Sequence, residues 1–257
     1  MTKVSDIVSF LDENFPLNTA LSFDNVGLLV GNKNKEVKRI FITLDLNNSS
    51  LAKAIGGNYD LVISHHPLIF GGINSVLVDN PTGFIITELI KNDVSYAAFH
   101  TNLDYCDEYS NNVLANKIFG EKTSLLSLPK EKVFCGVICD FDESSLSAIM
   151  SQVKENLNSS GCISINDIHS KVSRAFVQGG SFDEDVIPSL LENNVNLVIS
   201  GEIKHHICLL LESYGIATII AGHNATERVY LPALKKLIND KYEDMDIFVD
   251  FGNESFV

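Results

Sequence analysis

The sequence predicts an α/β fold of two similar α/β lobes, whose largely parallel sheets face a shared metal cleft. Short apolar runs alternate with helical patterns along the chain, an order typical of strands joined by crossover helices. The run Leu61–Ser64 is continuously apolar until its last residue, as in strands buried on both faces of a sheet. Two distant segments also repeat the same succession of apolar and polar residues. We expect a first lobe at 1–125 and a second at 126–257.

The first lobe is expected to begin with a helix, because Val4, Ile7 and Leu11 recur at helical spacing. Apolar β-branched runs predict the strands that follow, and longer mixed runs predict the helices. In chain order these are strands Val26–Val30, Arg39–Leu44 and Leu61–Ser64, helix Thr82–Lys91, strand Ser95–Phe99 and helix Asn111–Phe119. The polar stretch from Gly120 to Lys132 is typical of a linker.

The second lobe continues the alternation. Its predicted elements are strand Val133–Cys139, helix Glu143–Asn156, strand Val172–Val177, helix Asp185–Asn193, strand Val195–Ile199, helix His205–Ser213, strand Ala217–Ala221, helix Thr226–Ile238 and strand Asp246–Phe251. The segment Gly179-Gly180-Ser181 favours a tight turn, although such a turn before a helix can also hold an anion on its backbone N–H groups.

Composition excludes several classes of protein. The 257 residues are 45% hydrophobic with a mean hydropathy of +0.13, so we expect an ordered core. The net charge of −14 disfavours general nucleic-acid binding and binding to anionic membranes, and no apolar run is long enough to span a bilayer. Five cysteines without an export signal indicate a cytoplasmic protein with reduced, buried thiols, namely Cys106, Cys135, Cys139, Cys162 and Cys208.

The internal repeat joins two motifs in each half. The first copy is Leu61–His66 with Phe99–Asp104, and the second is Leu197–Glu202 with Gly222–Glu227. Each copy ends in a histidine followed four residues later by a carboxylate. The offset between copies is 136 residues at the first motif (62 to 198) and 123 at the second (100 to 223). The difference fits an extra surface loop at Leu68–Pro81. The alternative is that two unrelated α/β units look alike.

The repeated polar residues have the chemistry of metal ligands. His65 and His66 end a buried strand, where Pro67 allows the two rings to diverge toward two ions; the alternative is a histidine packed in the core. Three histidines and two carboxylates are too many for one tetrahedral zinc and suit two ions with open positions for water. The predicted ligands are His65, His66, Asp104, His223 and Glu227.

The predicted cluster would keep positive charge, because two divalent ions outweigh two carboxylates, and would attract phosphate. The ions would also lower the pKa of bound water. Imidazole with carboxylate permits Zn, Mn, Fe, Co or Ni.

A second group of polar residues is assigned less sharply. His100 is a candidate catalytic acid–base. Asp24 and Asn25 either line the cleft or, as we favour, cap a turn. Residues Glu202, His205 and His206 either support the site or have structural roles.

At these motifs the chain resembles the Nif-three-like family, whose members are often called GTP cyclohydrolase I type 2 homologues. The segments that carry the resemblance are Ser22–Gly31, Asp60–Phe70, His100–Asp104, Ser200–His206 and Gly222–Arg228. The resemblance implies a dinuclear metal site between two α/β lobes, with the five ligands named above, and a ring-shaped homohexamer. At 257 residues the chain looks like the short form of the family.

These observations favour a dinuclear metal-dependent hydrolase that acts on a small phosphate-bearing or nucleotide-like substrate, with GTP ring opening as one candidate reaction. The alternative is a non-catalytic regulatory or chaperone-like protein that binds metal and uses a hexameric ring as an interaction platform. An open coordination position would favour the enzyme, whereas a site closed by protein ligands would favour the alternative.

Overall fold

The computed structural model describes residues 1–106, 109–121, 123–127, 136–159 and 161–252. These residues form a mixed α/β fold, as the sequence predicts, and contain two five-stranded sheets. The α-helices are α1 (Val4–Asn14), α2 (Asn48–Gly56), α3 (Pro81–Lys91), α4 (Thr101–Asp104), α5 (Ser110–Phe119), α6 (Leu146–Asn156), α7 (Ile187–Glu192), α8 (His205–Ser213), α9 (His223–Glu227) and α10 (Leu231–Lys241). The strands are β1 (Gly27–Val30), β2 (Arg39–Thr43), β3 (Leu61–Ser64), β4 (Ser95–Ala98), β5 (Leu125–Ser127), β6 (Val137–Ser145), β7 (Lys171–Ser181), β8 (Leu197–Glu202), β9 (Ala217–Ile220) and β10 (Asp246–Asp250).

The chain divides into two compact units. The first unit is Met1–Cys106 together with the chain from Leu231 to residue 252, and the second contains the described residues between them. This boundary differs from the expected division into 1–125 and 126–257. Helix α5 packs on β6 and β7 of the second unit, whereas β10 pairs with β2 of the first unit.

The first unit is built on a sheet in the order β1-β4-β3-β2-β10. Strand β1 runs antiparallel to β4, and the other three pairs are parallel. The parallel strands therefore finish at one end of the sheet, which we call its carboxyl end. Apolar side chains such as Phe41 and Val62 pack on this sheet beneath α2 and α3. The residues that directly follow β2, β3 and β4 meet at the carboxyl end.

The second unit is built on a sheet in the order β5-β6-β7-β8-β9. Its β5–β6 and β6–β7 pairs are antiparallel, and its β7–β8 and β8–β9 pairs are parallel. Thus the expectation of largely parallel pairing describes the first sheet better than the second. Separate apolar clusters, one around Val177 and Ile199 and one around Phe176 and Val198, contain alternate residues of β7 and β8 and so cover both faces of this sheet.

Each unit contains the repeated arrangement of strand, helix, strand and short helix. Leu61 is in register with Ser95 in the first unit, and Leu197 with Ala217 in the second. The register gives an offset of 136 residues for the first strand (61 to 197) and 122 for the next (95 to 217). The second value is one residue less than the spacing of His100 and His223. The two histidines therefore occupy neighbouring positions of the repeat: His100 is the N-cap of α4, whereas Gly222 is the N-cap of α9.

Several predicted elements differ from those observed. Helix α2 was not predicted; Asn47 caps it by accepting hydrogen bonds from two backbone N–H groups. Strand β6 continues through residues 143–145, where a helix was expected, while residues 133–135 of the expected strand lie outside the described residues. The expected linker contains β5. Gly179-Gly180-Ser181 is part of β7 and forms a bulge opposite β8, not a turn.

One predicted helix, Thr226–Ile238, is three separate segments. Helix α9 is followed by a single 3₁₀ turn at Arg228–Tyr230 and then by α10. Pro232 explains the break, because it has no backbone N–H to continue the preceding helix and is well tolerated in the first turn of the next one.

Two expectations from composition can be examined directly. Cys139 and Cys208 are buried, and burial raises the pKa of the Cys139 thiol to about 12, whereas Cys106 and Cys162 are partly exposed. In the part of the chain that the structure describes, none of the helices combines the length and apolar character of a bilayer span.

Candidate metal centre

Three imidazole rings gather at the carboxyl end of the first sheet. His65 and His66 directly follow β3, and His100 stands between β4 and α4. The ring centroids are 4.9 Å apart for His65 and His66, 5.0 Å for His65 and His100, and 5.4 Å for His66 and His100. One nitrogen from each ring lies within 4.8 Å of the other two. This spacing allows the three rings to contact a shared ion.

Each of these rings has a hydrogen-bond acceptor next to its Nδ1 atom. The pairs are His65 with the Phe99 carbonyl at 3.0 Å, His66 with Asp45 Oδ1 at 2.8 Å, and His100 with Asp24 Oδ1 at 3.1 Å. A carbonyl or carboxylate at Nδ1 places the proton on that nitrogen, so the neutral ring presents a lone pair at Nε2. All three rings are thus oriented to bind a cation through Nε2.

The partner of His100 is itself firmly held. The Asp24 side chain is buried, and its Oδ2 accepts hydrogen bonds from the backbone N–H and the hydroxyl of Thr101, at 3.0 and 2.6 Å. Burial by itself would raise the pKa of Asp24. The hydrogen bonds from His100 and Thr101 outweigh burial and hold this pKa well below its usual range. Asp24 is therefore an anion that fixes the ring of His100.

His65 faces a carboxylate with its other nitrogen. The ring is buried, and its Nε2 lies 3.6 Å from Oδ2 of Asp104, on the last residue of α4. Because Nδ1 donates to the Phe99 carbonyl, Nε2 of the neutral ring and the carboxylate oxygen are both electron-pair donors. Two such donors are stabilised side by side by a proton or a cation. A divalent ion is one way to supply that positive charge.

Tyr96 of β4 holds the backbone that follows β3, which includes His66. Its buried hydroxyl accepts a hydrogen bond from the Leu68 N–H at 2.7 Å and donates to the His66 carbonyl at 3.3 Å. The Ser64 hydroxyl lies 2.7 Å from the phenol oxygen of Tyr96. Burial raises the pKa of Tyr96 to about 12, although the hydrogen bonds from Ser64 and Leu68 act in the opposite direction. This phenol fixes the turn that follows β3.

The second unit repeats the arrangement of imidazole and carboxylate. Nδ1 of His223 lies 3.2 Å from Oε1 of Glu202 at the end of β8, and Nε2 lies 3.0 Å from Oε2 of Glu227. His223 and Glu227 are four residues apart on α9 and so share one face of the helix. The Glu227 side chain is largely buried, whereas that of Glu202 is exposed. As at His65, one ring nitrogen lies near an outer acceptor while the other faces a carboxylate, which is largely buried in this unit.

Glycine leaves the space that this carboxylate occupies. A Cβ atom at Gly180 would lie 2.1 Å from Oε1 of Glu227 and 3.4 Å from Nε2 of His223. A Cβ atom at Gly201 would lie 2.6 Å from the Thr226 hydroxyl and 2.8 Å from Cα of His223. The bulge of β7 thus forms a cradle without side chains for the pair. Imidazole and carboxylate donors in this setting fit a hard or borderline divalent ion such as Mn, Zn or Fe.

The structure therefore groups the predicted residues within each unit. His65, His66, His100 and Asp104 come together in the first unit, and His223 and Glu227 in the second. His206 is exposed, and its Nε2 atom lies 3.9 Å from Oε2 of Glu184.

Of the three carboxylates beside the rings, the sequence does not identify Asp45 and leaves Asp24 and Glu202 between two interpretations. Asp45 was not considered, although it follows β2 at the same carboxyl end. For Asp24 a capped turn was favoured, yet its carboxylate holds His100. For Glu202 the sequence permits a supporting or a structural role, and its carboxylate is the outer partner of His223. The signal available for Asp45 was its position after a strand parallel to β3.

Comparisons with known proteins place the chain in a family. A family model described as Duf34/NIF3 (NGG1p interacting factor 3) matches residues 2–254. A Clostridium acetobutylicum protein named GTP cyclohydrolase 1 type 2 homolog is 26% identical over 95% of this chain and 92% of its own length. A Staphylococcus aureus protein of the same name is 36% identical over 60% of this chain and 42% of its own length. A crystal structure of a Staphylococcus aureus hypothetical protein superimposes with a TM-score of 0.87 at 26% identity, covering 98% of this chain and 97% of that one. The chain belongs to the DUF34/NIF3 family.

Proposed function

We propose that the protein is a hydrolase that uses two divalent metal ions per subunit and acts on a small phosphate-bearing or nucleotide-like substrate. One observation carries the proposal: in both units an imidazole is oriented at Nδ1 by an acceptor while its Nε2 faces a carboxylate oxygen. A purely packed histidine does not require that pairing, and its occurrence in both units, at different positions of the repeat, supports a shared purpose.

We further propose that the two copies contribute to one dinuclear centre. Its ligands would be His65, His66, Asp104, His223 and Glu227. Metal ions bound there would polarise a substrate oxygen and lower the pKa of water. Asp104 and Glu227 supply two negative charges against four positive ones, so the centre would remain attractive to a phosphate on a protein whose net charge is −14.

The chain's own residues have separable roles in this proposal. Asp45 accepts a hydrogen bond from Nδ1 of His66, and Oε1 of Glu202 lies 3.2 Å from Nδ1 of His223. Each carboxylate would hold the Nε2 atom of its histidine outward. His100 is assigned proton transfer: with Nδ1 bonded to ionised Asp24, its Nε2 can accept a proton from water or from the substrate. Asp24 stabilises the imidazolium that results.

The substrate class follows from the charge of the centre and from the name borne by relatives. GTP is the first candidate, because the similar proteins are called GTP cyclohydrolase 1 type 2 homologues. Ring opening and phosphoester hydrolysis both need an activated water and a positioned proton acceptor, so both belong in the same screen. We also propose the homohexamer implied by the family resemblance, which light scattering would detect as six times the 28.3 kDa chain mass.

Metal analysis followed by an activity screen tests the proposal. The protein is purified without chelators, and Zn, Mn, Fe, Co and Ni are quantified by mass spectrometry in wild type, Asp104→Asn and Glu227→Gln. Both substitutions keep the side-chain shape and remove one negative charge. His206→Gln is the matched control, because His206 is exposed. We expect about two ions per chain in wild type and control, and fewer in both carboxylate variants.

Each metal found is then used with GTP, other nucleoside triphosphates and simple phosphoesters. Turnover by wild type that is lost in Asp104→Asn and in Glu227→Gln supports one shared centre. A wild-type protein that keeps its ions yet turns over no member of the panel would support the non-catalytic, regulatory alternative. A protein that binds no ion under any loading condition would rule out both.

A further inference from the structure

Two exposed phenyl rings lie beside the imidazole cluster of the first unit. Phe23 is 53% exposed and Phe70 is 58% exposed. Their ring centroids are 5.8 Å apart, and the rings are tilted by 42° and not stacked on each other. The Phe70 ring is also 6.3 Å from the His100 ring, at a steep angle. Large apolar faces thus border the group to which proton transfer is assigned.

The segments that carry these rings are tied together by polar side chains. Asn25 donates a hydrogen bond from its amide nitrogen to the Ile69 carbonyl at 2.8 Å, which joins the residues next to Phe23 and Phe70. Between Phe23 and Asn25 stands Asp24, whose carboxylate holds His100. One set of hydrogen bonds, made by Asp24 and Asn25, therefore holds the two phenyl rings and the His100 imidazole in place.

Exposed aromatic rings at such a place favour a flat ligand. Each phenyl ring leaves apolar surface in water, and covering it is favourable. Because the pair is tilted, a planar ring can stack on one phenyl while its edge meets the other, the two geometries that aromatic rings prefer. A ring stacked on Phe70 would lie next to His100. An aliphatic ligand gains contact area there but not the paired aromatic geometry.

From this geometry we infer that Phe23 and Phe70 form a stacking platform for a planar heteroaromatic ring of the substrate, such as a nucleobase. The inference rests on the proposed function and adds the substrate's ring to its phosphate. Stacking on an aromatic side chain is tolerant of base identity, so the platform would select for a ring and not for one particular base.

The main competing occupant is a second copy of the chain. Ile73, Val76 and Leu77 on the loop after Phe70 are also exposed and apolar, and a subunit interface would cover the same region. The two occupants predict different outcomes, because only a ligand platform discriminates between ligands with and without a ring.

The platform is tested by calorimetry on the full chain, with GTP, ATP and UTP as ligands and inorganic triphosphate as the reference that lacks a ring. The bound metal is quantified in every protein sample. We expect at least one nucleotide to bind wild type about 5-fold or more tightly than triphosphate. Phe23→Ala and Phe70→Ala should weaken nucleotide binding by roughly 5- to 150-fold and leave triphosphate binding unchanged. Phe70→Trp should retain nucleotide binding. Phe84→Ala is the matched control, since Phe84 is an exposed phenylalanine of α3 in the same unit.

Two results would overturn the inference. One is that no nucleotide binds more tightly than triphosphate, or that Phe70→Ala weakens both alike. The other is that the variants change the oligomeric mass in light scattering while nucleotide affinity stays at the wild-type value, which would assign the rings to a subunit interface. If the protein binds metal but binds nucleotides no more tightly than triphosphate, only the stacking platform is refuted. If the protein binds no metal, the proposed function is refuted.

Discussion

Substituting Gly180 by alanine separates the backbone role of this glycine from its role at the candidate site. Gly180 has a φ of +63°, so any other residue is strained there, at a cost of about 1–2 kcal/mol. The new Cβ would also lie 2.1 Å from Oε1 of Glu227, against 3.4 Å or more for ordinary contact. The oxygen must therefore move by about 1 Å, far beyond the roughly 0.2 Å that metal–ligand distances tolerate.

Backbone strain affects the free energy of unfolding, whereas the displaced carboxylate affects metal affinity. The displaced oxygen is the end of a flexible side chain, so its movement adds little to the cost of folding. We expect the free energy of unfolding to fall by about 1–2 kcal/mol through backbone strain alone. Metal affinity should fall by about 10- to 100-fold or more, because Glu227 no longer faces His223 as a ligand pair.

The matched control is Gly215→Ala. Gly215 has a φ of +76°, and a Cβ atom there would meet nothing within 4 Å. Urea unfolding and titration of Zn²⁺ and Mn²⁺ against a competing chelator are measured for both variants. We expect both variants to lose similar amounts of stability and only Gly180→Ala to lose metal affinity. Wild-type metal affinity in Gly180→Ala, or an equal loss of affinity in Gly215→Ala, would refute the reasoning.

Three further perturbations address the first unit. Asp45→Asn removes the anion that orients His66 and should weaken metal binding by about 10-fold in the same chelator titration, with little change in stability. Tyr96→Phe removes the partner of the buried Ser64 hydroxyl and of the part-buried Leu68 amide, so it should lower the free energy of unfolding by about 1–3 kcal/mol in urea. Tyr242→Phe, which removes an exposed hydrogen bond, should change it by less than about 0.5 kcal/mol. Asp24 has a lowered pKa in the folded state, so its stabilisation is present above the ordinary carboxyl value of 3.8 and is lost as the pH falls below it. Urea unfolding of the metal-free protein should therefore show the difference between wild type and Asp24→Asn shrinking as the pH is lowered from about 6 toward 3.

Each of these expectations has a contrary result. Unchanged metal affinity in Asp45→Asn would mean that His66 is oriented by something other than this carboxylate. Equal losses of stability in Tyr96→Phe and Tyr242→Phe would remove the assigned role of the buried phenol. A difference between wild type and Asp24→Asn that grows on acidification would contradict the direction of the Asp24 pKa.

The strand pattern made the positions of the candidate site predictable. Continuous apolar runs identify β3, and the histidines that follow it must lie at the carboxyl end of a parallel sheet. The residues that orient them were less visible, because hydrogen bonds such as that between Asp24 and His100 join positions 76 residues apart. No local pattern marks such a partner.

The misassigned elements have similarly physical reasons. The polar end of β6, residues 140–145, lacks the alternation of a half-buried strand and is held by pairing with β7. The helical pattern of residues 226–238 continues across a turn in which the chain leaves the second unit for the first. Pro232 marks the position, but the hydrophobic spacing around it is that of one helix.

The late return of the chain to the first sheet has a consequence for biosynthesis. Strand β10 completes this sheet against β2, although roughly 200 residues separate the two strands in sequence. At translation rates of about 5–20 residues per second, the open edge of β2 waits some 10–40 seconds for its partner, while the second unit, whose described residues form one continuous segment, can fold first. During that interval β2 exposes unpaired backbone N–H and C=O groups, which promote aggregation. A chaperone that binds nascent chains would suppress it. A stop codon shortly before Asp246 would make this transient vulnerability permanent.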